Sequence, residues 1–159
     1  MIGLISDTHE NEEATKKAVV LFKRKNVDFV VHCGDIVSPP MLEHFQDIKT
    51  KFIYGNNDGE REGLRLMCQK LGFEEIQDEI EFEYYGKKFY AYHGTKSKIL
   101  NDAISSEKYD YILTGHIHVK RDETIRKTRV INPGALFHAY QYTVAILDAQ
   151  NDKLIFYPI

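Results

Sequence analysis

Apolar and polar positions along this chain switch rhythm about halfway. Met1 to Ser6 is a short apolar run, and Ala14, Ala18, Leu21 and Phe22 then recur at helical spacing. Asn11 is suited to cap that helix, with Glu12 and Glu13 in its first turn and Lys23, Arg24 and Lys25 at its close. A second apolar run spans Val27 to Cys33, a short helix through Phe45 starts at Ser38-Pro39, and a third run covers Lys51 to Tyr54. Leu64, Met67, Cys68 and Leu71 mark a further helix that Gly72 ends. The period then drops to two: Ile80, Phe82 and Tyr84 alternate with glutamates, and Phe89 to Tyr92 returns past Gly86. A helix over 97–105 leads into Tyr109 to Thr114. Two hairpins follow, Val119–Ile125 with Thr128–Ile131, and Tyr142–Asp148 with Lys153–Tyr157 around Asn151-Asp152.

Alternating strands and helices in the first half, and hairpins with one helix in the second, predict two packed sheets with helices outside. At 159 residues, without linker-like or repetitive stretches, the chain reads as one domain over 1–159. A formal net charge of −3 gives no basic face for extended nucleic acid. No apolar stretch reaches the about 20 residues that span a bilayer, and the opening residues meet Asp7 and His9 too soon for a signal peptide. Cys33 and Cys68 sit in apolar surroundings and read as reduced core thiols, so a cytoplasmic location is expected.

The chemistry collects where the predicted strands end. Asp7 and His9 follow the first, Asp35 the second, Asn56 the third, His93 the returning hairpin strand, and His116 with His118 the run through Thr114. Loops at the carboxyl ends of strands converge in open α/β sheets, so these seven residues are expected to meet. Each alone has an ordinary explanation, as a cap, a turn residue or a satisfied strand end. Together they form an oxygen- and nitrogen-rich set without thiolate, suited to two borderline divalent ions, with manganese foremost and nickel, zinc or iron as alternatives. Read as extended chain, His116 and His118 would point the same way, with Ile117 turned into packing. His32, His44 and His138 read as structural, with His32 and His138 the two that could approach the site in support. A tyrosine or Phe137 near the site could meet an organic leaving group.

In order, Asp7-x-His9, Gly34-Asp35, Gly55-Asn56-x-Asp58, His93-Gly94 and Gly115-His116-x-His118 resemble the motif set of calcineurin-like metallophosphoesterases. Within that superfamily the chain is similar to the small single-domain prokaryotic phosphodiesterase branch, over nearly its whole length through Asn132-Pro133-Gly134. The resemblance implies a four-layer α/β/β/α sandwich of two mixed sheets. It implies Asp7, His9, Asp35 and His118 around one metal and Asn56, His93 and His116 around another, with Asp35 shared. It further implies a small phosphodiester substrate, with Asp35, Asn56, His93 and His116 in the catalytic set, and a hydroxide between two ions for in-line attack. Many relatives place a histidine where this chain has Asn57, and read His-Gly-His where it has His93-Gly94-Thr95. Asn57 can hydrogen-bond phosphate, as can Asn56, but it cannot act as an acid near neutral pH. Asp58 or a metal-bound water is then the expected weaker aid to the leaving group, and esters that need little protonation are the expected substrates. The resemblance also makes a homodimer or higher homo-oligomer an expectation. The same fold serves a retromer subunit through protein contacts, so a metal-binding scaffold is the alternative reading.

Overall fold

The computed structural model describes residues 1–159. The elements in order are β1 (Ile2–Ile5), α1 (Glu12–Arg24), β2 (Phe29–His32), a 3-10 helix (Pro39–Phe45), β3 (Thr50–Phe52), α2 (Arg61–Leu71), β4 (Glu79–Tyr84) and β5 (Lys87–Tyr92). They continue with α3 (Ser97–Ser105), β6 (Tyr111–Leu113), β7 (Arg121–Ile125), β8 (Thr128–Asn132), β9 (Thr143–Asp148) and β10 (Lys153–Pro158). Two five-stranded sheets form, in the orders β10-β9-β1-β2-β3 and β4-β5-β6-β8-β7. In the first sheet β1, β2 and β3 run parallel, and β9 pairs antiparallel with β1. In the second, β5, β6 and β8 run parallel, with hairpin partners β4 and β7 at the edges.

The layering follows from which faces are apolar. Ile2, Leu4, Phe29 and Val31 of the first sheet meet Phe89, Ala91, Tyr111, Leu113 and Ile131 of the second in a core between the sheets. On the outer face of the first sheet, Ile5 and Val30 pack against Ala18 and Phe22 of α1, Leu42 and Phe45 of the 3-10 helix, and Leu64 of α2. On the outer face of the second, Tyr90, Ile112 and Val130 pack against Ile104 of α3. Strands apolar on both sides have no solvated face to alternate against, so the parallel strands read as continuous apolar runs. The α/β/β/α sandwich is as expected.

Sheet assignment is what the strand pattern did not contain. The last hairpin leaves the second-half strands and joins the first sheet beside β1, where Leu147, Ile146 and Ala145 face Ile2, Gly3 and Leu4. The parallel strands of both sheets deliver their carboxyl ends to a single edge of the molecule, where residues following β1, β2, β5 and β6 meet.

Candidate metal centre

Backbone hydrogen bonds stitch the loop after β1 to the loop after β2, and the loop after β5 to the loop after β6. Asp7 N–H donates to the Gly34 carbonyl at 3.0 Å, His9 N–H to Asp35 at 3.0 Å, and Gly115 N–H to His93 at 3.0 Å. Fully buried Asn132 donates from Nδ2 to the Gly115 carbonyl at 2.6 Å. These bonds fix a strained backbone: Asp7, His9, Asp35, His116 and His118 all adopt left-handed φ between 46° and 71°. Such conformations cost about 1–3 kcal/mol each in non-glycine residues and persist only where the surroundings impose them. Glycine provides the space beside them. A Cβ on Gly55 would lie 2.2 Å from Asp35 Oδ1, and one on Gly115 would lie 1.9 Å from Ser6 Oγ and 2.8 Å from Asp7 Oδ2.

The backbone of the His-x-His segment differs from the extended reading. With φ of 71° at His116 and 54° at His118, the two imidazoles separate instead of aligning. His118 Nε2 comes to 3.1 Å from Asp7 Oδ1, while the His116 ring lies edge-on to His93 at 5.2 Å between centroids. Ile117 is 55% exposed and not packed, since the left-handed turns on either side lift it out of the loop.

The donor atoms converge in two groups, Asp7 with His9 and His118, and Asp7 with Asp35 and His93. Asp35 Oδ2 lies between them, 3.7 Å from His9 Nε2 and 3.4 Å from His93 Nε2. Asn56 Oδ1 adds a third oxygen 3.1 Å from His93 Nε2 and accepts from Thr95 Oγ1 at 3.3 Å. His93 Nδ1 faces the Cys33 carbonyl at 2.7 Å. A carbonyl can only accept, so Nδ1 carries the proton, and in the neutral ring Nε2 is a bare lone pair. That lone pair faces oxygens of Asn56, Asp35 and, at 3.9 Å, Asp7. Only a proton or a cation among them removes the repulsion. Asp7 Oδ1 and His9 Nε2 are both buried without a hydrogen-bond partner, although His118 Nε2 lies near the former. Converging ligand atoms, two of them buried without a hydrogen-bond partner, are what a cation site requires, and the carboxylate, amide and imidazole set fits a borderline divalent ion.

The electrostatics separate the two carboxylates. Burial raises the Asp7 carboxyl, against the Ser6 hydroxyl bonded to it at 2.6 Å and the charges of His93 and His118. Burial also pushes Asp35 up, but contact with His93 and the Asn57 hydrogen bonds outweigh it and hold Asp35 well below the usual carboxylate range. Burial lowers His9. For His93 burial is outweighed by Asp35 and Asp7, which leave it above its ordinary value.

Two expected site residues take different places. Asn57 donates to Asp35 twice, from N to Oδ1 at 2.8 Å and from Nδ2 to Oδ2 at 2.7 Å, so it clamps that carboxylate. Asp58 corrects an expectation: it is 2% exposed, and its carboxylate accepts N–H from Asp35, Ile36, Val37 and Gly55 at 2.6–3.0 Å. With both oxygens so engaged, it ties the β2 and β3 loops together, and its carboxylate is spent on backbone N–H groups and not aimed at a leaving group. It also holds Val37, a β-branched residue at φ 74°.

Supporting groups lie behind the donors. His32, fully buried, accepts from Gly34 N–H at Nδ1 and bonds Thr8 Oγ1 through Nε2 at 2.9 Å, and burial lowers it to about 3, so it stays neutral. Phe137 stacks on His9 at 4.1 Å, and the His138 carbonyl lies 3.4 Å from His118 Nδ1. The Cys33 carbonyl, which accepts from His93, and the Ser6 hydroxyl, which donates to Asp7, have no sequence signal beyond adjacency to Gly34-Asp35 and Asp7. His44 stays outside the cluster, 3.8 Å from Glu12.

The profile of the calcineurin-like phosphoesterase superfamily domain matches residues 1–152, and the chain belongs to this family. It is 39% identical over 157 residues to Phosphodiesterase MJ0936 of Methanocaldococcus jannaschii, covering 96% of this chain and 95% of that protein. A solved structure described as a novel archaeal phosphodiesterase superposes with a TM-score of 0.94 at 34% identity, over 99% of both chains. Yfce, a phosphoesterase from E. coli, shares the fold at a TM-score of 0.74 and 16% identity, over 99% of this chain and 97% of that one.

Proposed function

We propose that this protein is a dinuclear metal-dependent phosphodiesterase acting on small diesters. The observation that carries the reading is the His93 Nε2 lone pair surrounded by oxygens of Asn56, Asp35 and Asp7. In it Asp7, His9, Asp35 and His118 hold one divalent ion, and Asp35, Asn56, His93 and His116 hold the other. Ions so held neutralise charge on phosphoryl oxygens and make water nucleophilic near neutral pH. The chain's own residues do the rest. Asp35, kept ionised by Asn57 and His93, supplies negative charge between the two donor groups. His93 is fixed in one tautomer by the Cys33 carbonyl, which aims Nε2 inward. One Asn57 amide hydrogen holds Asp35 and the second is free to donate to a phosphoryl oxygen, beside Asn56.

No group at position 57 can protonate a leaving group, so diesters with acidic leaving groups are the preferred substrates. Manganese is our first choice of metal, with nickel, zinc or iron as alternatives, for a thiolate-free set of two carboxylates, one carboxamide and four imidazoles. Free, buried Cys33 and Cys68 support a cytoplasmic location, and no helix is long and apolar enough to cross a membrane. We read 1–159 as one domain that works as a homodimer or higher homo-oligomer.

The test is hydrolysis of bis(4-nitrophenyl) phosphate and 4-nitrophenyl phosphate by manganese-loaded protein, with bound metal quantified. The diester should turn over faster, with two ions per chain. Asp35→Asn should cost at least about a hundredfold in kcat/KM, or about 2.7 kcal/mol of transition-state stabilisation. His116→Ala should lose one ion in preference to the other. Two bound ions with no hydrolysis of either ester would favour the scaffold reading.

A further inference from the structure

Two clefts flank the donor cluster, and they differ in charge. One, of about 400 Å³, is lined by His9, Glu10, Asn11, Val37, Phe137 and Tyr142. Glu10 makes no ion pair or side-chain hydrogen bond, and no cation lines this side. The other, of about 380 Å³, opens from Asn56 and Thr95 and runs past Tyr54, Arg61 and Lys96. Two carboxylates also line it, but both are engaged. Asp78 pairs with Arg61 at 2.7 Å, and Glu79 accepts from the Tyr90 hydroxyl. The Arg61 guanidinium in turn sits over the Tyr54 ring, with Cζ 4.4 Å from its centroid. Lys96 alone has an uncommitted charge: its backbone N–H donates to the Tyr92 hydroxyl at 2.9 Å, while its ammonium has no carboxylate partner. The backbone there is fixed and the charge free.

We propose that Lys96 determines specificity by binding a second anionic group on one ester arm of the substrate. That arm lies in the Asn56-side cleft, with its flat ring against the Arg61–Tyr54 stack and its anion on Lys96. The other, uncharged arm lies against Phe137. The cleft volume suits one nucleoside-sized arm, stacked arginine and tyrosine present a π-surface, and an ammonium is a strong point-charge partner for phosphate. Glu10 repels the charged arm from the opposite cleft and so fixes its direction. The substrate class is therefore a phosphodiester with unlike arms, one a nucleoside phosphate. This rests on the phosphodiesterase reading above.

The experiment compares thymidine 5′-(4-nitrophenyl phosphate) with its 3′-phosphorylated counterpart, since both release 4-nitrophenolate. In parallel, calorimetry measures binding of thymidine 3′,5′-bisphosphate and thymidine 5′-phosphate. Wild type should show KM and Kd lower by about tenfold for the 3′-phosphorylated member of each pair. Lys96→Ala and Lys96→Gln should abolish both preferences, Lys96→Arg should keep them, and all three should hydrolyse bis(4-nitrophenyl) phosphate as wild type does. No preference in wild type, or a preference that survives in Lys96→Ala, overturns the proposal. A Lys96-dependent binding preference in a protein that hydrolyses none of the esters supports the cleft assignment and overturns the phosphodiesterase reading alone.

Discussion

Asn57 is the residue on which leaving-group chemistry turns in the proposed reaction. Its amide can donate but not protonate, and one of its hydrogens already holds Asp35 Oδ2 at 2.7 Å. An imidazole there would restore an acid near the leaving group. Asn57→His should therefore raise the ratio of alkyl to aryl diester turnover by about a hundredfold, the lower end of what a positioned general acid contributes. An unchanged ratio in steady-state assays of both esters would show that protonation at this position does not limit the reaction. The donor residues were legible because metal-type side chains stood at five strand ends. The Asn57 clamp was not, because it depends on two loops being brought into contact 22 positions apart.

At the scale of elements, the centre is a set of loops held in left-handed turns, and Asp58 is the tie between two of them. Four backbone N–H groups converge on its buried carboxylate, including that of strained Val37. Replacing it by asparagine turns one acceptor oxygen into a donor facing other donors. We expect Asp58→Asn to lose about 3 kcal/mol in urea unfolding, as hydrogen bonds to a charged group are broken. The alkyl-to-aryl ratio should stay where it was, which a leaving-group role for Asp58 would not allow. The strands and helices themselves were readable from periodicity, since β1, β2 and β6 are short apolar runs and α1 carries its cap at Asn11, whose Oδ1 accepts from Ala14 N–H at 3.2 Å. The extended reading of His116 to His118 failed because left-handed turns leave no periodic trace.

The whole molecule is a sandwich whose two sheets present carboxyl ends at one edge, so the candidate donors come from both: Asp7, His9, Asp35 and Asn56 from the first, and His93, His116 and His118 from the second. A cation bound there would bridge the sheets and stabilise the folded state over the unfolded one. For one ion at a hundred times its Kd this amounts to about 2.7 kcal/mol, or about 5–10 °C in Tm for a chain of this size. Chelation should lower Tm by that amount in calorimetry, manganese should restore it, and Asp35→Asn should shrink the shift. A Tm indifferent to chelator would argue against a cation in the cluster.

By itself the sequence determined the alternation of strands and helices, the two-sheet architecture and the identities of the candidate donors, because burial and chain periodicity are local and each donor follows directly on a strand. Only the tertiary structure decided which sheet the last hairpin joins, that left-handed turns set the two imidazoles apart, and that Asp58 braces loops. These depend on contacts between segments far apart in the chain, where hydrogen bonding and packing choose among arrangements that local pattern leaves equal.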